Sequence, residues 1–187
     1  MKENYTIKIV GIAGSLREGS FNRALLQTAR TMLPAGMQLK IYDLNTLPLY
    51  NDDIISAGSP PSVAGFRDVI GGADGLLIAA TEYNYSISGV LKNALDWAST
   101  NGLGNILQDK PIAIMGASTM MFGTTHSQRH LRQVLHAVNA RVLGRPEVFL
   151  PKAREAFSQA GELQDERFLK RINDLLLAFR DLIISSQ

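Results

Sequence analysis

The sequence predicts an α/β fold in which five parallel strands form a doubly wound sheet with helices on both faces. Short apolar runs, typical of strands buried on both faces, alternate with helical patterns along the 187 residues. Hydrophobic residues make up 45% of the chain and charged residues 19%, so the chain can bury a core of ordinary size. No internal repeat, low-complexity tract or linker divides the sequence, and residues 1–187 are therefore expected to form a single domain.

The five predicted strands are short. Ile7–Ala13 is apolar except for Lys8, as expected of a strand that is covered on both faces. Met37–Tyr42 alternates between apolar and polar residues, which is the period of a strand. The other three predicted strands are Gly75–Ala80, Pro111–Ser118 and a short strand within Arg141–Leu150.

Helical patterns lie between these strands. The first helix, Asn22–Met32, has Ser20 or Asn22 as a candidate N-cap and Pro34 after its end. The connection Asp43–Ser62 is long for a compact domain, and such connections are often functional. The other predicted helices are Val63–Ile70, Val90–Ser99, Ser127–Val138 and the long amphipathic segment Asp165–Ile184.

Charge and composition argue against several classes of protein. The 19 basic and 17 acidic residues give a formal net charge of +2, and the basic residues are scattered, so no nucleic-acid partner is expected. Because there is no cysteine, no disulfide, thiolate nucleophile or thiolate metal ligand can form. No apolar run reaches the roughly 18 residues of a membrane span, and no signal peptide is expected, because the residues before the first strand lack a long apolar stretch. The expected location is the cytoplasm.

A polar loop between the first strand and the first helix has the composition of a phosphate site. The segment Gly11-Ile-Ala-Gly14 breaks the dinucleotide fingerprint, while Ser20 and Phe21 stand where a P-loop has lysine and a hydroxyl residue. Backbone N–H groups at a helix start can still bind a monophosphate. Side-chain donors for it are expected from Ser15, Arg17, Ser20 and Asn22. A polar turn with an N-cap and no ligand is the alternative.

A second polar loop, Thr81–Gly89, follows the third strand and leads into a helix. Backbone amides around Glu82–Tyr85 can bond the edge of a flat heteroaromatic ring, Asn84 can bond its polar oxygens, and Tyr83 can stack on it. Parallel strands end at one edge of a sheet, so the two loops are expected to be neighbours. A phosphate loop beside a ring platform predicts a bound flavin. Taken alone, the tyrosines would more simply anchor a loop.

The two loops together resemble those of a known family. The motifs Gly14-Ser-Leu-Arg-x-x-Ser-x-Asn22 and Glu82-Tyr-Asn-x-Ser, with Gly89-x-Leu-Lys-Asn-Ala-x-Asp-Trp97, are similar to the NADPH-dependent FMN reductases, in particular their chromate and quinone reductase branch. The similarity continues through Ser118, Gly123, His130-Leu-Arg-Gln133 and Pro146-Glu147. It implies a flavodoxin-like fold, tightly bound FMN, NADPH or NADH as co-substrate, and a homodimer or homotetramer.

The loops and the resemblance together define a set of expected FMN contacts. These residues are Ser15, Arg17, Ser20, Phe21, Asn22, Glu82, Tyr83, Asn84, Tyr85, Ser86, Ser118 and Gly123. The chain departs from the family pattern at four positions. Thr81 and Ser88 replace common prolines, while Thr100 and His126 stand where related chains often carry arginine. Fewer fixed positive charges favour neutral quinones over chromate as acceptors.

The hypothesis is an FMN-dependent NAD(P)H oxidoreductase that passes hydride through flavin N5 to a quinone or a similar small-molecule acceptor. No catalytic side chain is expected, because the flavin carries the chemistry. His126 and His130 have helical metal-ligand spacing, but no cysteine or nearby carboxylate completes a site, so no metal is expected. One alternative is a flavodoxin-type electron carrier, against which a pI near 9.0 argues. The other is an FMN reductase that supplies reduced flavin to a partner monooxygenase.

The pattern of one predicted helix also indicates an oligomer. Val90–Trp97 is apolar over more than one helical face, so part of this helix is expected to pack against a partner subunit.

Overall fold

A parallel sheet forms the centre of the computed structural model, which describes residues 5–56, 58–100 and 102–187. The strands in chain order are β1 (Ile7–Ala13), β2 (Met37–Tyr42), β3 (Gly75–Ala79), β4 (Glu82–Tyr83), β5 (Ser86–Ile87), β6 (Pro111–Ala117), β7 (Arg141–Val142) and β8 (Val148–Leu150). The main sheet has the order β2-β1-β3-β6, with β7 and β8 both paired to β6, and all of these pairs are parallel. This order confirms the predicted flavodoxin-like fold.

The fifth position of the sheet is divided between two short strands. β7 pairs with the start of β6 and β8 with its end. The sequence predicted one short strand in this region. The interruption contains Gly144 and Pro146, and proline has no N–H to donate to a neighbouring strand.

Helices cover both faces of the sheet. They are α1 (Phe21–Thr31), α2 (Asp52–Ser56), α3 (Pro61–Gly71), α4 (Gly89–Ser99), α5 (Thr125–Ala137), α6 (Ala153–Ala156) and α7 (Glu166–Ile184). One core layer contains α1 and α7, and the other contains α3, α4 and α5. The short helices α2 and α6 were not predicted. Within the described ranges, no helix has both the length and the apolar character needed to cross a bilayer.

Successive residues of the central strands supply opposite core layers. In β1, Ile7 and Ile9 pack with α1 and α7, whereas Val10 and Ile12 pack with the helices of the other face. Side chains of a strand alternate in direction, so a strand between two helical layers needs apolar residues at almost every position. This explains the continuous apolar runs of the sequence.

The long connection after β2 is fixed to α4. The side-chain N–H groups of Asn93 and Trp97 both donate to the carbonyl of Pro48, at 2.9 and 2.8 Å. The Tyr50 N–H donates to Asn93 Oδ1 at 2.7 Å, and the Tyr50 hydroxyl lies 2.9 Å from Thr100 Oγ1. Two residues of the Lys-Asn-Ala-Leu-Asp-Trp motif therefore hold the connection that follows β2.

The apolar residues of α4 pack within this chain. Leu91, Leu95 and Trp97 are all buried in the core layer that also contains α3 and α5. The expectation that this helix leaves an apolar face for a partner subunit is therefore not supported. The oligomeric state itself stays a prediction.

We expect Gly116→Ala to destabilise the protein, because β6 and the start of α5 touch at this residue. A Cβ atom there would overlap the Thr124 side chain and lie 2.7 Å from the carbonyl oxygen of Ala80. Overpacking of this kind lowers the free energy of unfolding by about 1–3 kcal/mol. Gly65→Ala, in α3, is the matched control because a Cβ atom there meets nothing within 4 Å. It should stabilise by about 0.4–1 kcal/mol in the same denaturant titration. Equal changes in the two variants would contradict this packing.

The N-cap of α7 predicts a pH-dependent contribution to stability. The Asp165 carboxylate accepts hydrogen bonds from the Arg167 guanidinium at 2.8 Å and from the Arg167 backbone N–H at 3.0 Å, and these bonds, the first above all, lower the pKa of Asp165. A carboxyl whose pKa is lower in the folded state stabilises above its unfolded pKa, about 3.9, and loses this contribution as the pH falls through the folded value. Asp165→Asn keeps a capping oxygen but removes the charge. The wild type should therefore be the more stable protein at about pH 6, with a smaller difference at about pH 3. Denaturant titrations across this range measure the difference, which should not be constant.

Candidate functional site

A cavity of about 440 Å³ lies beyond the carboxyl ends of β1, β3 and β6. Its lining residues are Ser15, Arg17, Gly19, Ser20, Phe21, Asn22, Thr81, Glu82, Tyr83, Ala117, Ser118, Thr119 and Arg154. Open α/β sheets bind ligands at this edge, where the strand order changes direction between β1 and β3. The volume is within the range of about 300–1,000 Å³ that is typical of ligand pockets.

Most of the residues expected to contact FMN lie in this cavity. The structure brings together Ser15, Arg17, Ser20, Phe21, Asn22, Glu82, Tyr83 and Ser118. It does not place Asn84, Tyr85, Ser86 or Gly123 in the cavity lining. The first three of these belong to an adjoining hairpin, and Gly123 precedes α5, buried against Phe149.

The start of α1 presents hydrogen-bond donors to the cavity. The first helical hydrogen bond runs from the Ala24 N–H to the Ser20 carbonyl, so the N–H groups of Phe21 and Asn22 have no partner within the helix. The Ser20 hydroxyl caps the helix by accepting the Arg23 N–H at 3.4 Å. Such a helix start binds anions through its N–H groups and its dipole.

The side chain of Asn22 joins the start of α1 to the ends of β3 and β6. Its Nδ2 group donates to Thr81 Oγ1 at 3.1 Å and to the Ala117 carbonyl at 2.9 Å, while its Oδ1 accepts the Ala117 N–H at 2.8 Å. An amide Nδ2 has two N–H donors, and both are used here. The side chain therefore has no donor left for a phosphate, and Asn22 faces the cavity as a donor through its backbone.

The loops after β1 and β3 are in direct contact, as the sequence predicted. A Cβ atom on Gly14 would lie 3.0 Å from both the Thr81 nitrogen and the Ser88 hydroxyl. Ser88 in turn caps α4 by accepting the Leu91 N–H at 3.3 Å. Glycine at position 14 therefore allows the two loops to approach closely.

The second loop is a hairpin rather than an irregular segment. β4 and β5 pair in antiparallel fashion, and the two residues between them, Asn84 and Tyr85, have φ angles of 49° and 61°. Positive φ at both central positions is the pattern of a type I′ turn. Asparagine adopts it readily, whereas a bulky residue such as tyrosine rarely does. Tyr83 and Tyr85 are 52% and 69% exposed, so both rings offer aromatic surface at the edge of the cavity.

The hairpin is held by α5. Glu82 Oε2 accepts the Ser127 N–H at 3.0 Å, in the first turn of the helix, where the dipole favours a negative charge. Ser86 Oγ lies 3.1 Å from His130 Nδ1. The Tyr85 and His126 rings meet edge to face, with their centroids 4.9 Å apart. The Glu82 carboxylate is therefore engaged by the protein, and the two histidines support the hairpin.

Arg154 is the main cavity residue that the sequence analysis missed. It lies in α6, which follows β8, so it reaches the same edge of the sheet as the two loops. In the described part of the chain its guanidinium takes part in no ion pair. The available signal was an arginine shortly after the last apolar run. Arg17 and Arg154 together give the cavity a positive lining that suits an anion.

The described residues were also compared with the arrangements that bind metal ions. Among the residues that the structure describes, no group of three or more histidines and carboxylates is arranged to hold a metal ion.

Comparison with known proteins gives consistent matches. Residues 7–155 match the family described as NADPH-dependent FMN reductase. The chain is 46% identical over 174 residues to an NAD(P)H-dependent FMN reductase of Pseudomonas aeruginosa, covering 93% of this chain and 94% of the relative. It is 40% identical to an NAD(P)H:quinone oxidoreductase of Solanum tuberosum, covering 95% and 93%.

A solved structure is also similar over its full length. FerB of Paracoccus denitrificans, a flavoenzyme NAD(P)H:(acceptor) oxidoreductase, superimposes with a TM-score of 0.89 at 30% identity, covering 97% of this chain and 99% of FerB. The family match spans most of the chain, and these relatives align over more than nine-tenths of both partners. On these grounds the chain belongs to the NADPH-dependent FMN reductase family.

Proposed function

We propose that this protein is an FMN-dependent NAD(P)H oxidoreductase whose acceptor is a quinone or a similar neutral small molecule. Family membership supports the oxidoreductase class, FMN as cofactor and NAD(P)H as reductant. The observation that carries the proposal is the positively lined cavity beside an exposed pair of tyrosines, at the sheet edge where flavins bind.

The donors of the cavity fit the phosphate of FMN. Ser15 and Ser20 contribute hydroxyl groups, Arg17 and Arg154 contribute guanidinium groups, and the start of α1 adds backbone N–H groups. Charge-assisted hydrogen bonds of this kind suit a phosphate that is held rather than transferred. The P-loop lysine is absent, so the loop has no group to serve a triphosphate.

The hairpin fits the ring. Its pairing and its contacts with α5 keep Tyr83 and Tyr85 at the cavity edge, where they can border a flat heteroaromatic system. Bound FMN supplies the hydride chemistry itself. The protein then has to orient the ring and shield it on one side. The cavity lining supplies hydroxyl and guanidinium groups for this, with the Glu82 carboxylate already bonded to α5.

The two alternatives differ from this proposal in measurable ways. A flavodoxin-type carrier binds FMN without oxidising NAD(P)H, and the names of the relatives describe reductases instead. An FMN reductase that releases reduced flavin would hold its flavin weakly. The number of phosphate donors in the cavity favours a retained cofactor.

We also propose a homodimer or homotetramer. Large apolar side chains are exposed on the connections that follow β2, β3 and β6, at the edge that holds the cavity. These residues are Leu49, Tyr83, Tyr85, Met120, Met121 and Phe122. Exposed apolar surface of this extent is typical of an interaction site. The cytoplasmic location and the absence of a nucleic-acid partner stay predictions.

The central experiment is a visible spectrum of the purified protein. We expect a yellow protein that contains one FMN per chain, and we expect the FMN to stay bound during gel filtration. Anaerobic NADPH should bleach it, and benzoquinone should restore the colour. A yellow protein that NADPH or NADH does not bleach would indicate an electron carrier. Loss of flavin on the column would indicate an FMN-releasing reductase. A colourless protein that does not take up FMN would contradict the proposal.

Arg17 gives a sharper test of the phosphate position. Arg17→Ala should weaken FMN by about 1.5–3 kcal/mol for each charge-assisted hydrogen bond lost, or roughly 10- to 150-fold in Kd. Riboflavin has no phosphate, so its Kd should be nearly the same for wild type and variant. Fluorescence titration of the apoprotein measures both ligands. Arg171→Ala, an exposed arginine in α7, is the matched control and should change neither Kd. An equal loss for FMN and riboflavin would place Arg17 away from the phosphate.

A further inference from the structure

A second and larger cavity adjoins the first. It has a volume of about 740 Å³ and lies between α1 and the segment 157–162. We call it the α1 groove. The proposed reaction does not use it, since FMN ends at its phosphate group.

The two cavities meet at the start of α1, where the phosphate of FMN is proposed to bind. Gly19, Ser20, Phe21 and Arg154 line both of them. A ligand group held at this junction therefore has open space on two sides. One side leads to the hairpin that borders the proposed ring position, and the other leads into the α1 groove.

The charges at the junction suit two phosphate groups in a row. Arg17 lines the first cavity and Arg154 lines both, while the carboxylates of Glu18 and Glu162 belong to the lining of the α1 groove. Arg23 also lines the α1 groove, but it is paired with Asp43 at 2.8 Å. Arg154 is therefore the arginine placed to serve a second phosphate just beyond the first.

The far wall of the α1 groove is a hydrogen-bonded turn. Phe157 and Leu163 form an antiparallel bridge, and the Ser158 N–H donates to the Glu162 carbonyl at 2.8 Å. Below this turn, the rings of Phe21 and Phe157 lie 5.4 Å apart between centroids. The groove thus has a hydrogen-bonded outer wall, and Phe21, packed on the buried Phe157, is its partly exposed ring.

The polar groups of the α1 groove suit a nucleoside. Gln27 and Gln159 carry amides that can bond the edge of a base, and Glu162 carries a carboxylate. A carboxylate that accepts from ribose hydroxyls is the usual arrangement in dinucleotide sites. The partly exposed ring of Phe21 can pack against a purine.

We propose that the α1 groove takes the adenosine monophosphate half of FAD, so that this site accepts FAD as well as FMN. The inference rests on the proposed flavin site, because the flavin half occupies the first cavity. The diphosphate lies at the junction, with Arg17 and Arg154 beside its two phosphates. The adenosine lies between α1 and the turn at 158–161.

The test compares the two flavins in a variant whose groove is filled. Apoprotein is titrated with FMN and with FAD by flavin fluorescence, and chromatography of the released flavin checks that FAD stays intact. In the wild type we expect the Kd for FAD to be within tenfold of that for FMN, or lower. Ala160→Trp places a large side chain in the groove from an exposed position outside the first cavity. It should raise the Kd for FAD at least tenfold and leave the Kd for FMN within twofold.

Two further variants complete the design. Ala35→Trp, at an exposed turn outside both cavities, is the matched control and should change neither Kd. Where Ala160→Trp does not fold, Gln27→Trp fills the groove from α1. FAD binding more than 100-fold weaker than FMN, or a filled groove that leaves FAD binding unchanged or weakens both flavins equally, would overturn this inference while leaving the FMN site intact. Binding of neither flavin would overturn the proposed function as well.

Discussion

The buried amide of Asn22 is the interaction on which the site depends. It is only 3% exposed, and it connects the first helix to the ends of β3 and β6 through three hydrogen bonds. A shortened side chain would leave the N–H and carbonyl of Ala117 unpaired in the interior, and each such group costs about 1–3 kcal/mol. This contact holds the loop after β1 against the ends of β3 and β6, where two further loops of the cavity begin. Thr81 takes part through its hydroxyl, which accepts one of these hydrogen bonds.

Much of the fold could be predicted from local sequence patterns. The apolar runs of β1 and β3 report burial on both faces directly, and the polar loop after β1 reports a helix start with donors. The divided fifth position shows the limit of such patterns. β7 and β8 contain two and three residues, so too few positions are available for a periodic signal.

The candidate site was less accessible to sequence reasoning, because its decisive contacts join residues far apart in the chain. Glu82 was expected at the flavin, yet its carboxylate caps a helix 45 residues later. Arg154 is far along the chain from the two loops, and its local sequence has no motif that sets it apart. The family motif in α4 was also ambiguous. Asn93 and Trp97 of this motif bind the connection after β2. A motif found in a flavoenzyme can therefore support a loop instead of contacting the ligand.

The placement of Arg154 has an evolutionary consequence. The alanines on either side of it in α6, Ala153 and Ala156, are buried in the core, whereas Arg154 itself is exposed at the mouth of the cavity. Exposed positions tolerate substitution with little effect on stability, usually within about 0.5 kcal/mol. The charge beside the proposed phosphate position can therefore change with little effect on the packed scaffold. A substitution at Arg154 could therefore change which nucleotide is preferred with little effect on folding.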